Sequence, residues 1–153
     1  MADRLRVLFL CTGNSARSQM AEGLLRFLGK DDFEAFSAGS EPHGIHPRAV
    51  QVMAELGIDI ASQRSKHLNE FLDQSFDYVI TVCDREHERC PTLPGDPERI
   101  HWSYPDPVVV VGDEQAQLRA FRKVRDAIRE RLRLWILNQR KLLRERRLDS
   151  DVA

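Results

Sequence analysis

Arg6 to Leu10 (RVLFL) is almost wholly apolar, and it runs directly into Cys11-Thr-Gly-Asn-Ser-Ala-Arg17-Ser18 and then a helical pattern. A run this short and apolar on both faces reads as a strand inside a parallel sheet. From about Ala16, residues Met20, Leu24, Leu25, Phe27 and Leu28 recur at three- and four-residue spacing until Gly29 ends the pattern. A buried strand feeding a helix through a short loop needs further parallel strands beside it, which commits the chain to an α/β architecture.

The alternation continues. Phe33 to Ser37, followed by Ala38-Gly39, reads as a second strand ending in a turn. Pro47 opens a helix through Ala49, Val50, Met53 and Leu56, closed by Gly57. A third helical segment is expected near Lys66 to Leu72, a strand at Tyr78 to Val82 ending at Cys83, and a last strand at Arg99 to Ser103. Tyr104-Pro105-Asp106-Pro107 must be loop, because prolines two apart exclude regular pairing. Leu118, Phe121, Val124, Ile128, Leu132 and Trp135 form the apolar stripe of one long closing helix. The expected fold is a three-layer α/β domain, a four-stranded parallel sheet flanked by helices with right-handed crossovers. Ligands in such sheets bind at the carboxyl ends of the strands, where Cys11, Cys83 and Asp106 fall.

The 153 residues suit one compact domain. No apolar run approaches the ~20 residues a membrane span needs, and no secretory leader is read, so a cytoplasmic protein without a membrane partner is expected. The net charge of −1 hides an asymmetry: residues 117–147 carry 12 Lys/Arg against 3 Asp/Glu, and residues 1–116 carry 11 against 19. The basic helix holds no recognised nucleic-acid motif, so no nucleic-acid partner is expected. Its end is read either as a solvated tail or as a contact or docking surface, giving a boundary between a domain at 1–138 and a basic helical extension or tail at 139–153. Three cysteines argue against a disulfide framework and for free, catalytic or redox-active thiols.

The loop Cys11 to Ser18 can turn consecutive backbone N–H groups inward at a helix N-terminus and form an anion site from Thr12, Gly13, Asn14, Ser15, Ala16 and Arg17. Gly13 and Asn14 tolerate the left-handed conformations such a nest needs. Arg17 adds a charged fork suited to a tetrahedral oxyanion. The same positive surroundings favour Cys11 as a nucleophilic thiolate, with Ser18 able to donate a hydrogen bond to it. A lone Cys at a strand end is otherwise a buried structural thiol, and here the spacing to Arg17-Ser18 argues for catalysis. Asp106, held between two prolines, is placed to protonate a leaving oxygen, against the plainer reading of a Pro-Asp-Pro turn.

The string CTGNSARSQMAEG resembles the low-molecular-weight protein tyrosine phosphatases and, more closely, the arsenate reductases built on that fold. Ser37-Ala38-Gly39, His46-Pro47, Gly57-Ile58-Asp59-Ile60, Ser65-Lys66, and His101-Trp102 followed by Asp106-Pro107 extend the resemblance over about residues 5–138. It implies Asp106 as general acid. Cys83-Asp-Arg-Glu-His-Glu-Arg-Cys90-Pro91 is similar to the thiol pair of thioredoxin-coupled arsenate reductases. The resemblance then implies a relay in which Cys83 attacks Cys11 and Cys90 attacks Cys83, the final disulfide being reduced by thioredoxin or a similar thiol. In a helix, residues seven apart are separated by ~10 Å, beyond disulfide reach, so oxidation requires the polar segment between them to unwind or loop out. Arg85, His87 and Arg89 would favour the thiolates. Two unrelated thiols, or a zinc site with His87, are the alternatives; Cx6C is not a usual zinc spacing, and no metal or cofactor is expected.

Ala16 stands where many members carry a second loop cysteine. Asn14, Glu22 and Ser37 match residues that hold a potassium ion in some arsenate reductases, but Lys66 occupies the position of an Asp, and its ammonium can replace the ion. No potassium dependence is expected. The competing activity is hydrolysis of phosphotyrosine or small phosphoesters, although Val108 to Val111 supply no aromatic residue to grip a substrate ring. A non-catalytic oxyanion-binding module would need neither the acid nor the thiol pair. A monomer is expected.

Overall fold

The computed structural model describes residues 4–95 and 97–152. Four parallel strands form one sheet: β1 (Leu5–Cys11), β2 (Phe33–Gly39), β3 (Tyr78–Thr81) and β4 (Glu98–His101), in the order β2-β1-β3-β4. The helices are α1 (Arg17–Gly29), α2 (Pro47–Ala54) and α3 (Glu114–Val152). The chain crosses from β2 over β1 to reach β3, so the connections leaving the carboxyl ends of β1 and β3 diverge and open a crevice between them. Cys11 is the last residue of β1, paired with Gly39.

Side chains alternate across the sheet. Leu5, Val7, Phe9 and Cys11 face the main core with Tyr78 and Ile80, where α1, α2 and α3 pack through Met20, Leu24, Met53, Phe121, Ile128 and Leu132. Leu8, Leu10, Ala38 and Val79 face the other side, covered by Phe71, Phe76 and Leu93. That third layer is thin. The helix expected over Lys66 to Leu72 is a single 3-10 turn, Leu68–Phe71, because the backbone on either side of Lys66 is committed elsewhere: Gly39 N–H donates to Lys66 O (2.9 Å), and Gly39 bridges His67 as an added strand pair.

Four other boundaries differ from the sequence reading. The last strand ends at His101 rather than Ser103, with Trp102 N–H making its final bond to Thr81 O (2.8 Å). β2 continues through Ala38 and Gly39 instead of turning there, since both pair with β1. α2 stops at Ala54, and Gly57 then takes φ +76 beyond it. β3 stops at Thr81, which leaves Cys83 two residues past the strand in the crevice.

α3 runs without a break to Val152. Beyond Trp135 it stays attached to the body: Tyr78 Oη donates to Gln139 Oε1 (3.0 Å), and Arg140 reaches Asp32 Oδ2 (2.9 Å) and Gly29 O (3.2 Å). None of the described helices is long and apolar enough to cross a membrane.

Candidate active site

The loop between β1 and α1 is held from outside by its carbonyls. Glu41 N–H donates to Thr12 O (2.9 Å), His43 N–H to Gly13 O (3.0 Å) and His46 N–H to Ser15 O (3.0 Å). Asn14 O accepts from Gln19 Nε2 (3.1 Å) and Ser65 Oγ (2.9 Å), and Ala16 O from Met20 N–H (2.8 Å). In a trans peptide the C=O and the next N–H point in opposite directions, so the N–H groups of Gly13, Asn14, Ser15, Ala16 and Arg17 turn away from these partners. Asn14 takes φ +44, the left-handed conformation that lets successive amides converge. Gly39 makes this path possible by close approach: a Cβ there would collide with Thr12 O and lie 2.8 Å from Cys11 O and 2.9 Å from Asn14 N.

Cys11 Sγ lies 2.7 Å from Ser18 Oγ, both buried. The hydroxyl's proton can be assigned. Asn14 Oδ1 accepts from Lys66 N–H (2.8 Å) and Gln19 Nε2 (2.9 Å), which fixes the amide so that its Nδ2 donates to Ser18 Oγ (2.8 Å). Ser18 therefore keeps its own proton free, and Sγ is the acceptor within reach of it once Cys11 is a thiolate. Beneath the loop, Ser37 Oγ donates to Glu22 Oε1 (2.7 Å), and Lys66 Nζ lies 3.7 Å from the same oxygen and also donates to Arg64 O. Burial lowers the pKa of Lys66 against the opposing pull of Glu22. Asn14, Glu22, Ser37 and Lys66 thus lie in one cluster, in which Glu22 has two cationic neighbours, Lys66 on Oε1 and Arg26 on Oε2 (2.8 Å).

Arg17 is nearly buried, and Tyr104 O accepts from its Nη1 (3.1 Å). Burial works against its charge, yet Glu88, Cys11 and Asp106 more than offset this and raise its pKa. Asp106 Oδ1 accepts the Val108 N–H (3.0 Å), while Oδ2 sits 3.7 Å from Arg17 Nη2. One oxygen is therefore anchored by the Pro107–Val109 turn and the other faces the guanidinium.

Cys83 and Cys90 are joined in a disulfide with their Cα atoms 5.9 Å apart, which sets aside the reading of two unrelated thiols. The segment between them forms a single turn, in which His87 and Glu88 N–H both donate to Asp84 O, and does not continue as a helix. Cys11 is the free thiol, and Cys11 and Cys90 line the same cavity of about 760 Å³, with His43, His46, Glu88 and Asp106 among its other walls. His87 pairs with Asp84 (2.7 Å), and the two thiols that a zinc site with His87 would draw on are joined to each other.

One functional feature is absent from the sequence reading. Glu88 grips the Arg17 fork with both oxygens, Nη2 to Oε1 at 2.6 Å and Nη1 to Oε2. Nothing in a polar hexapeptide marks one of its two glutamates for this contact.

The chain matches the low molecular weight phosphotyrosine protein phosphatase family over residues 6–148. It belongs to that family. An arsenate reductase of Halalkalibacterium halodurans is 44% identical over 128 residues, 83% of this chain and 91% of that protein. A solved structure described as an arsenate reductase in oxidized state is 33% identical, with a TM-score of 0.71 over 87% of this chain and 97% of that one. A thioredoxin-dependent arsenate reductase of Corynebacterium glutamicum is 30% identical, with a TM-score of 0.67 over 92% of this chain and 65% of that one.

Proposed function

We propose that this family member is an arsenate reductase, converting arsenate to arsenite through a three-thiol relay. The observation that carries the reading is the Cys83–Cys90 disulfide, whose Cys90 lines the same cavity as the free Cys11. A phosphatase needs only water after its first displacement, whereas arsenate reduction needs two electrons from thiols.

The Cys11 thiolate attacks arsenic while the loop amides and Arg17 hold the oxyanion. Asp106 protonates the departing oxygen, which leaves as water, and a Cys11–arsenate adduct remains. Cys83 thiolate then attacks Cys11 Sγ; the S–As bond breaks, its electron pair stays on arsenic, and arsenite leaves. Cys90 thiolate attacks Cys83 Sγ, which expels Cys11 as thiolate and closes Cys83–Cys90. A dithiol protein such as thioredoxin reduces that disulfide and is itself oxidised. Asn14, Glu22, Ser37 and Lys66 support the loop, and Ser18 stabilises the Cys11 thiolate between turnovers. The working protein is a cytoplasmic monomer, with residues 1–138 as its catalytic domain and 139–153 as a basic helical extension whose first residues, Gln139 and Arg140, dock on that domain.

Single-turnover arsenate reduction with thiol counting tests the scheme. Wild type should lose two thiols per arsenite, Cys90→Ser should halt with Cys11 and Cys83 joined, and Cys83→Ser should release no arsenite. Wild-type turnover by both variants with thioredoxin present would refute the relay. Brisk hydrolysis of p-nitrophenyl phosphate without arsenate reduction would make the protein a phosphatase.

A further inference from the structure

Glu88 takes no part in the relay, yet it holds the group that should receive substrate. Its two oxygens meet two nitrogens of the Arg17 fork, the bidentate arrangement that guanidinium offers to phosphate-like oxyanions. Thr12 Oγ1 (3.3 Å) and Asp84 N–H (2.9 Å) donate to the same carboxylate, and the side chain is 15% exposed at the cavity wall. Burial disfavours its ionisation, but the hydrogen bonds from Arg17 and Asp84 prevail and hold its pKa below the usual carboxylate value. With Tyr104 O also on Nη1, an arriving oxyanion would find the fork engaged and a negative charge beside it.

The disulfide constrains the loop that carries Glu88. Cys83–Cys90 closes a six-residue loop, and Glu88 lies two residues before Cys90, on the arc that passes over Thr12 and Arg17. Opening the disulfide would free the six polar residues 84–89 from that constraint.

We propose that Glu88 is a positioning residue that stands in for the substrate oxyanion: in the disulfide form its carboxylate closes the Arg17 site to arsenate and phosphate, and reduction of Cys83–Cys90 vacates it. This rests on the reading of the Arg17 loop as the oxyanion site. It imposes an order on the cycle, since an oxyanion enters only after the disulfide has been reduced. By linkage, an oxyanion that prefers the reduced protein must also make the disulfide easier to reduce.

The test is calorimetric titration of the full chain with inorganic phosphate, oxidised and reduced, for wild type, Glu88→Gln and Glu88→Ala. Wild type should bind phosphate at least tenfold more tightly when reduced, and both variants should narrow that ratio to within threefold by gaining affinity in the oxidised form. The wild-type midpoint potential should rise in saturating phosphate by about 30 mV per tenfold of that ratio, and the variants' by no more than about 15 mV. A merely structural role for Glu88 would change melting temperatures and leave the ratio intact. A wild-type ratio near one, an unchanged ratio in the variants, or a reduced protein that binds no phosphate would overturn the proposal. Arsenate reduction by the reduced protein is scored separately: its failure beside a redox-dependent phosphate ratio removes the reductase reading and leaves the Glu88 gate standing.

Discussion

Replacing Ser18 with Ala removes one oxygen and should affect both reactivity and stability. The Ser18 hydroxyl receives the Asn14 amide (2.8 Å) and faces Cys11 Sγ (2.7 Å) in a buried setting. A hydrogen bond to a charged partner contributes about 1.5–3 kcal/mol. At about 1.4 kcal/mol per tenfold, its loss from the attacking thiolate should slow single-turnover arsenate reduction by roughly 10- to 150-fold at neutral pH. The same change leaves Asn14 Nδ2 unpaired inside the protein, at a cost of about 1–3 kcal/mol, and in a chain of this size each kcal/mol lowers Tm by about 2–4 °C. The assay is rapid-quench arsenite formation on pre-reduced protein, beside thermal unfolding of the same sample. A folded Ser18→Ala protein with a rate within threefold of wild type would refute the assignment of the Ser18 proton to Cys11.

Gly39→Ala places a methyl against the carbonyls of Thr12 and Cys11 and the Asn14 nitrogen, so phosphate affinity measured by calorimetry should fall by more than tenfold in the reduced protein; near-normal affinity would show that the loop can shift. Catalytic efficiency should be equal in potassium and sodium at the same ionic strength, because Lys66 Nζ stands beside Glu22, and a clear gain in potassium would disprove the ammonium's role. His46 accepts the Arg48 N–H through Nδ1 (3.1 Å) at the start of α2, and its pKa is lowered, first by burial and then by Arg48. Because the unfolded chain then binds the proton more readily, His46 contributes stability that is complete above about pH 6.5 and lost as the pH falls toward its folded value. Urea unfolding between pH 5 and 7.5 should show this slope in wild type and a weaker one in His46→Asn; equal slopes would exclude His46 as its source.

The strand, loop and helix from Leu5 to Gly29 were legible because each rests on local rules: a doubly apolar run, an Asn14 that takes the left-handed turn although Gly13 does not, and helical spacing closed by glycine. Cys11, Arg17 and Ser18 could be named from that unit alone, since one loop carries all three. The segment 66–72 misled for the opposite reason. Its apolar spacing resembles a helix, but the pairing of Gly39 with His67 claims the backbone first. Cys83 and Cys90 could be singled out but their separation could not be read, because it depends on whether the six residues between them are helix or turn.

The sequence by itself determined the sheet's buried strands, the anion loop with its cysteine and arginine, and the presence of two further thiols, since these follow from neighbours along the chain. Only the tertiary structure decided what faces what. It assigned the Ser18 proton through Asn14, seated the Lys66 ammonium beside Glu22, and brought Glu88 onto Arg17 from 71 positions away. Contacts at that separation arise from β1 and β3 lying side by side in the sheet, so their carboxyl ends meet in one crevice although no local pattern links them.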